Sequence, residues 1–197
     1  MAPGAAPVPE IRRLDAEDYA AAVPALGALL LDAVEGGASV NFLAGLTLAE
    51  ATAWWADRAP LVAARSMIPF VAVDADGAVL GSTLLFPAPQ PNGPHRAEVG
   101  KVLVLRSARR RGIAQALMAA AEAHAVEIGR WLLFLDTHEG TEAETMYREL
   151  GWTEIGRFPD HSLTTTGTLL AAVFFWKDLR GSDEGRGTDE GRGPGPR

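Results

Sequence analysis

The hexapeptide Arg109-Arg110-Arg111-Gly112-Ile113-Ala114 combines the residue types that hold a phosphorylated ligand. It lies between an apolar run, Val99 to Leu105, and an alanine-rich stretch of helical spacing that begins near Gly112. Where a strand ends in a small-residue turn and opens a helix, the first helical N–H groups have no partner inside the helix, and the helix dipole adds partial positive charge. Gly112 and Ala114 are small enough for a phosphate to approach the backbone, and the three arginines surround it with charge. This spacing suits a phosphorylated cofactor, a pyrophosphate above all. Taken alone, the turn reads equally well as ordinary punctuation before a helix. It differs from two other phosphate loops, since no Gly-Lys-Ser/Thr follows Gly112 and no Gly-x-Gly-x-x-Gly is present.

The elements that must position this turn lie on either side of it. His95 to Leu105 reads as a long strand. The helix after the turn runs from about Arg111 to Ile128, with Ile113, Leu117, Ala120, Ala121, His124 and Ile128 on one stripe. His124 on that stripe reads as structural. Gly129 ends the helix and Trp131 to Asp136 is the next strand; two strands joined by one helix form a right-handed βαβ unit with parallel strands. Upstream, Glu10 to Leu14 reads as a strand, and Ala16 to Val34 as a helix kinked or broken at Pro24 and ended by Gly36-Gly37. Thr47 and Glu50 spell a capping box for a helix through Trp54, Trp55 and Arg58. Pro69 to Val73 and Ala78 to Phe86 flank Asp74-Ala75-Asp76-Gly77 as a hairpin, and Pro87 to Pro94 is a loop. Downstream, Thr141 with Glu144 opens a short helix to Leu150, stopped by Gly151; Trp152 to Phe158 and Leu169 to Lys177 are closing strands.

Composition narrows the function. The chain has 197 residues, 48% of them hydrophobic, which is enough for one domain with a real core. A net charge of −7 argues against non-specific nucleic-acid binding. The absence of cysteine excludes disulfides, thiolate metal sites and a cysteine nucleophile, and the four histidines are too scattered to imply a metal. No apolar run approaches the roughly 20 residues that span a bilayer, and Met1 to Glu10 lacks the basic flank and apolar core of a signal peptide. A soluble cytoplasmic protein is expected, with no nucleic-acid or membrane partner. Residues 1–9 read as a flexible arm, 10–179 as the domain, and 180–197 as a disordered tail in which Asp-Glu-Gly-Arg-Gly occurs at 183–187 and again at 189–193.

The order of elements around the turn resembles the GCN5-related N-acetyltransferases. Their pyrophosphate motif, Gln/Arg-x-x-Gly-x-Gly/Ala, is matched by Arg109, Gly112 and Ala114, and the likeness covers roughly residues 10–179. Several blocks are similar to the tabtoxin-resistance type within that family: Leu135-Asp136-Thr137, Gly140, Ala143-Glu144, Tyr147 and Leu150-Gly151-Trp152; Ala97-Glu98-Val99 leading to Lys101; Gly37-Ala38-Ser39-Val40 with Phe42-Leu43; and Phe174-Phe175-Trp176-Lys177. One departure is Pro159-Asp160-His161, where such relatives often carry Tyr after the Pro-Asp/Gly pair; if that position touches substrate, specificity has changed. The resemblance implies an α/β (α+β) fold. Its mixed, mostly antiparallel sheet of about six or seven strands is splayed between two parallel central strands and flanked by about four helices. It also implies an acetyl-CoA-dependent N-acetyltransferase acting by direct transfer on the primary amine of a small molecule: an amino-acid-like toxin, an antibiotic or a metabolite. Acetyl-CoA is the cosubstrate and no metal is called for. A protein N-terminus or lysine as acceptor, and a non-catalytic acyl-CoA-binding module, are the alternatives.

On that reading, the backbone from Val102 through Leu103 and Val104 to Leu105 meets the amide-rich arm of the cofactor, as an added strand would. The turn from Arg109 through Arg110, Arg111, Gly112 and Ile113 to Ala114 meets its pyrophosphate, and a backbone N–H near Val102 or Leu103 meets the developing oxyanion. Strands placed in this way bring Glu98 and Asp136 to the mouth of one cleft, where partial burial makes a carboxylate a better base; in the matching relatives carboxylates at both positions are the proposed base pair, acting directly or through water. Asp136 as a turn cap, or paired with Lys101 or an arginine, is the alternative. Tyr147 is placed to protonate the leaving thiolate, although Ala143, Met146, Tyr147 and Leu150 also make an apolar stripe. Asn41 and Phe42, beside Trp54 and Trp55, wall the acceptor pocket, with at least one tryptophan as core; His161 joins them. His138 and Glu139 either join the site or form an exposed loop. The run Val173-Phe174-Phe175-Trp176 suits a homodimer interface or a buried strand equally.

Overall fold

The computed structural model describes residues 9–38 and 40–181; nearly all of the expected N-terminal arm and C-terminal tail lies outside the described residues. The elements are β1 (Glu10–Arg13), α1 (Ala16–Glu35), α2 (Leu48–Ala56), α3 (Ala59–Ala63), β2 (Ile68–Val73), β3 (Val79–Pro87), β4 (Arg96–Val104), a 3-10 turn (Arg106–Ala108), α4 (Ile113–Glu127), β5 (Leu132–His138), α5 (Glu142–Glu149), β6 (Thr153–Leu163) and β7 (Leu169–Asp178). The strands form one seven-stranded sheet in the order β1-β2-β3-β4-β5-β7-β6. Every neighbouring pair is antiparallel except β4 and β5, which are parallel because α4 connects them. The expected mixed sheet with a parallel central pair is present.

Two apolar layers sandwich this sheet. On one face Ile113, Leu117, Met118, Ala121 and Ala125 of α4 pack with Tyr147 of α5 against Phe70, Ala97, Val99 and Leu135. On the other, Tyr19, Leu26, Leu29 and Leu30 of α1 and Trp55 of α2 pack against Val71, Leu84 and Leu103. Helix α1 begins at the Asp15 cap, whose side chain accepts from the Glu17 and Asp18 N–H groups. It passes Pro24 without a break. Pro24 and Ala20, the residue whose carbonyl a proline cannot bond, both lie on the exposed side of the helix, where water can reach that carbonyl, and the buried stripe runs on either side of the proline. The Thr47–Glu50 capping box is complete in α2. At α5 only half of the expected box forms: Thr141 accepts from the Glu144 N–H, but the Glu144 carboxylate turns to the Gly140 N–H, 2.6 Å away. Among the described residues no helix is long and apolar enough to cross a membrane.

Candidate active site

The ladder between β4 and β5 is short. It pairs Arg96 with Leu132, Ala97 with Leu133 and Glu98 with Phe134, and then stops. The cause lies in β4. The register against β3 slips between Ser82 and Leu84, so that one residue of β3 faces two of β4, Lys101 and Val102. Lys101 takes the left-handed conformation, φ 51°, the signature of a bulge that bends its strand. Packing confirms the extra residue: Ala97 and Val99 face α4, and beyond the bulge Val102 and Val104 face α4 again, whereas Leu103 faces α1. Beyond Glu98 the backbone of β4 therefore diverges from β5, and the ladder between them does not resume.

A cleft of about 1380 Å³ fills the gap. One end is the turn from Arg109 to Ala114. Arg106 anchors it to α1 through its own N–H to Asp32 at 2.9 Å and its Nε to the same carboxylate at 2.8 Å. Arg110 and Gly112 are left-handed, φ 60° and 74°, and Gly112 caps α4 without a side-chain acceptor. The first intrahelical bond is Ala116 N–H to the Gly112 carbonyl, 3.0 Å, so the N–H groups of Ile113, Ala114 and Gln115 have no helical partner. A Cβ built on Gly112 would meet nothing within 4 Å. Uncapped donors, open space and the flanking Arg109 and Arg110 fit a pyrophosphate.

The other end carries the titrating groups. Leu133 and Leu135 are buried toward α4, so Asp136 projects from the opposite face of β5, the face on which Glu98 lies in β4. Burial in the cleft wall, then the Asp136 charge, push Glu98 above the usual carboxylate range, with Lys101 opposing; the cleft still leaves the side chain open to water. The bulge turns Lys101 to the same side, where Nζ donates to the Val40 carbonyl at 3.0 Å and lies 5.1 Å from the Trp54 ring. Burial, then Arg58, bring Lys101 down to about 8, against the pull of Asp136 and Glu98. Arg58 stacks on Trp54, 3.3 Å from the ring centroid. Tyr147 enters from the α4 face; it is 5% exposed, and burial, then Asp136, push its phenol well above the ordinary range.

Most residues expected from the sequence meet in this one cleft: Glu98, Asp136, Tyr147, Val102, Leu103, Val104, Arg109, Arg110, Gly112, Ile113, Ala114, Asn41 and His161. Four do not line it. Trp55 is a correction: it is fully buried, its carbonyl accepts from the Tyr19 hydroxyl at 2.7 Å, and its neighbour Trp54 is the tryptophan that reaches the cleft. Phe42 stands behind Trp54, edge-on at 5.7 Å. Leu105 packs between the two core layers, and Arg111 is exposed outside the lining. Sequence reasoning missed the cleft roles of Lys101, Arg58 and Ser162, and it favoured a loop for His138, which is buried as the last residue of β5. The bulge did leave a signal: the apolar positions Ala97, Val99, Val102 and Val104 slip phase once in an otherwise two-residue period. Ser162 left none.

Comparisons agree with this geometry. The profile of the acetyltransferase (GNAT) family matches residues 41–152, more than half of the chain. A GCN5-related N-acetyltransferase from Kribbella flavida superposes with a TM-score of 0.70 at 26% identity, over 86% of this chain and 97% of that one. The ribosomal-protein-alanine N-acetyltransferase from Brucella melitensis gives 0.65 at 26% identity, over 86% and 99%. The phosphinothricin acetyltransferase from Sinorhizobium meliloti, solved in complex with AcCoA, shares the fold with a TM-score of 0.70 at 18% identity, over 88% and 89%. With the splayed strands and the open helix start beneath it, the family match is decisive: the chain belongs to the acetyltransferase (GNAT) family.

Proposed function

We propose that the protein transfers the acetyl group of acetyl-CoA to the primary amine of a small, amino-acid-like molecule, in the manner of the tabtoxin-resistance type, with detoxification of a toxin or antibiotic as the setting. The observation that carries this reading is the gap that opens after the Glu98–Phe134 pair, with an uncapped helix start at one end and two carboxylates at the other. Acetyl-CoA supplies an activated thioester carbonyl. The N–H groups of Ile113 to Gln115, with Arg109 and Arg110, hold its pyrophosphate. The freed edge of β4 from Val102 to Val104 receives its amide-rich arm as an added strand, and an N–H of that edge meets the carbonyl oxygen as it gains charge.

Glu98, held above the usual carboxylate range by burial and then by the Asp136 charge, is a stronger base than an ordinary carboxylate and takes a proton from the ammonium group. Asp136 stands on the same face to share or orient that proton. Tyr147, which lines the cleft from the α5 side, supplies a proton to the departing thiolate; burial keeps the phenol protonated until that charge forms. The choice of a small acceptor rests on the sequence blocks shared with the tabtoxin-resistance type, Ala97-Glu98-Val99 and Leu135-Asp136-Thr137 among them. The test is thiol release from acetyl-CoA across a panel of amino-acid-like amines and of peptides, with products identified by intact mass. Acetylation of peptides alone transfers the reading to a protein acetyltransferase; tight cofactor binding without turnover of any amine defeats it.

A further inference from the structure

One pair of proton-exchanging side chains in the cleft has no part in these steps. His138 ends β5, Ser162 lies 24 residues further on in β6, and the imidazole Nε2 is 2.6 Å from the Ser162 hydroxyl. Both line the cleft that holds Glu98 and Asp136. Alternation along β5 puts His138 on the face of Asp136, because Leu133 and Leu135 take the opposite face. On β6 a break in register between Phe158 and Ser162, with Asp160 left-handed at φ 50°, re-aims the strand toward that face.

His138 as a whole is 8% exposed. The groups that face it are Asp136 on its own strand and His161 and Ser162 on β6. Burial first, and His161 with it, hold the ring below its ordinary value of 6.5, against the opposing pull of Asp136. At neutral pH this is a neutral ring, fixed by its hydrogen bond, with one nitrogen free of a proton.

Amine acetylation moves more protons than one base accepts. The sum is R–NH3+ plus acetyl-S-CoA giving R–NH-acetyl, HS-CoA and H+. The ammonium first loses a proton to become a nucleophile. The N–C bond then forms, the C–S bond breaks, the nitrogen loses a second proton and the thiolate gains one. Glu98 with Asp136 accounts for the first loss and Tyr147 for the gain. Resting on the acetyltransferase reading, we propose that Ser162 and His138 take the second proton: it passes from the acceptor nitrogen to Ser162 Oγ as the hydroxyl proton of Ser162 passes to His138 Nε2. The resulting imidazolium lies near the Asp136 carboxylate and returns its proton to solvent. Ser162 is the group that touches the reacting nitrogen; His138 is a positioning residue that acts through it.

The test uses the full chain with Ser162→Ala and Ser162→Thr, following thiol release from about pH 5 to about pH 9 with an amine that the wild type acetylates. The relay predicts that Ser162→Ala lowers kcat on the order of 10²-fold, leaves the KM for acetyl-CoA unchanged and removes one ionisation from the acid limb of the kcat profile, while Ser162→Thr restores both. Wild-type kcat and an unchanged profile in Ser162→Ala overturn it. Nitrogen NMR of His138 in the unliganded protein is a second test that needs no turnover. The relay requires the neutral tautomer with its proton on Nδ1, and a proton on Nε2 overturns it. A wild type that binds acetyl-CoA and acetylates no amine defeats the acetyltransferase reading, and the relay with it, whereas an active wild type with the wrong tautomer defeats the relay alone.

Discussion

Replacing Lys101 with methionine isolates the cost of the charge that the β4 bulge carries into the cleft wall. Both side chains are long and unbranched, and both meet the same left-handed backbone, φ 51° in the wild type, so backbone strain cancels in the comparison. The displacement of the lysine from 10.5 to about 8 corresponds to about 3.5 kcal/mol, at about 1.4 kcal/mol for each tenfold change; water in the cleft makes this a ceiling. Methionine forfeits the bond to the Val40 carbonyl, worth about 1 kcal/mol net, or more where that carbonyl stays dry. Near pH 7 the variant is thus expected to be more stable by about 1–2 kcal/mol. The sign then turns with pH. The folded protein gives up the lysine proton near 8 and the unfolded chain only near 10.5, so across that window the unfolded state binds more protons and wild-type stability rises with pH. Above it neither state is charged, the advantage of methionine is gone, and only the lost hydrogen bond remains, leaving the variant less stable. Urea unfolding followed by tryptophan fluorescence at about pH 7 and about pH 11, with equal m-values, measures the swing. A stability difference that is the same at both pH values refutes the reasoning.

Three further outcomes are expected. Glu98→Gln lowers kcat on the order of 10²–10⁴-fold with acetyl-CoA affinity retained; because the folded carboxylate lies above its ordinary value of 4.5, its ionised form opposes folding at neutral pH, so melting near pH 7 is unchanged or raised, and a lowered melting temperature with intact kcat contradicts the assignment. Gly112→Val places a β-branched residue at φ 74°, costs about 1–2 kcal/mol of stability, and fills the open space before the uncapped helix start; calorimetry should show acetyl-CoA affinity falling by about tenfold or more (about 1.4 kcal/mol), and equal affinity removes the phosphate turn. Gly27→Ala presses a Cβ against Thr52, 2.9 Å from its Cα, and destabilises the α1–α2 contact by about 1–3 kcal/mol in denaturant melts; because backbone is involved, Thr52→Ala in the same chain recovers only part.

The βαβ unit around the phosphate turn was legible because several local signals agree there: an apolar strand, an arginine-flanked glycine, a helical stripe and a closing Gly129. The capping box at Thr47 was equally local. Choices decided by tertiary packing were not legible. Trp54 and Trp55 are identical neighbours on a short helix, and only the position of α1 decides that Tyr19 buries the second and leaves the first to the cleft. Pro24 breaks a helix by local rules and is overridden by the buried stripe on either side of it. The sequence pattern ends β5 at Asp136 and leaves His138 to a loop, whereas pairing with Val173 and Ala172 of β7 extends the strand by two residues. The Ser162 contact depends on a register break in β6 at Pro159-Asp160-His161; the proline marks the break, but not the direction in which the strand resumes.

The inserted residue in β4 has a consequence for how such a cleft is acquired. Because Val99 and Val102 stay on one side of the sheet across it, the strand accommodates a polar side chain without exchanging its inner and outer surfaces. Excision of Lys101 would therefore leave both apolar layers in phase while letting β4 and β5 zip together past Phe134. The cleft and the two apolar layers of this chain are separable to within one amino acid.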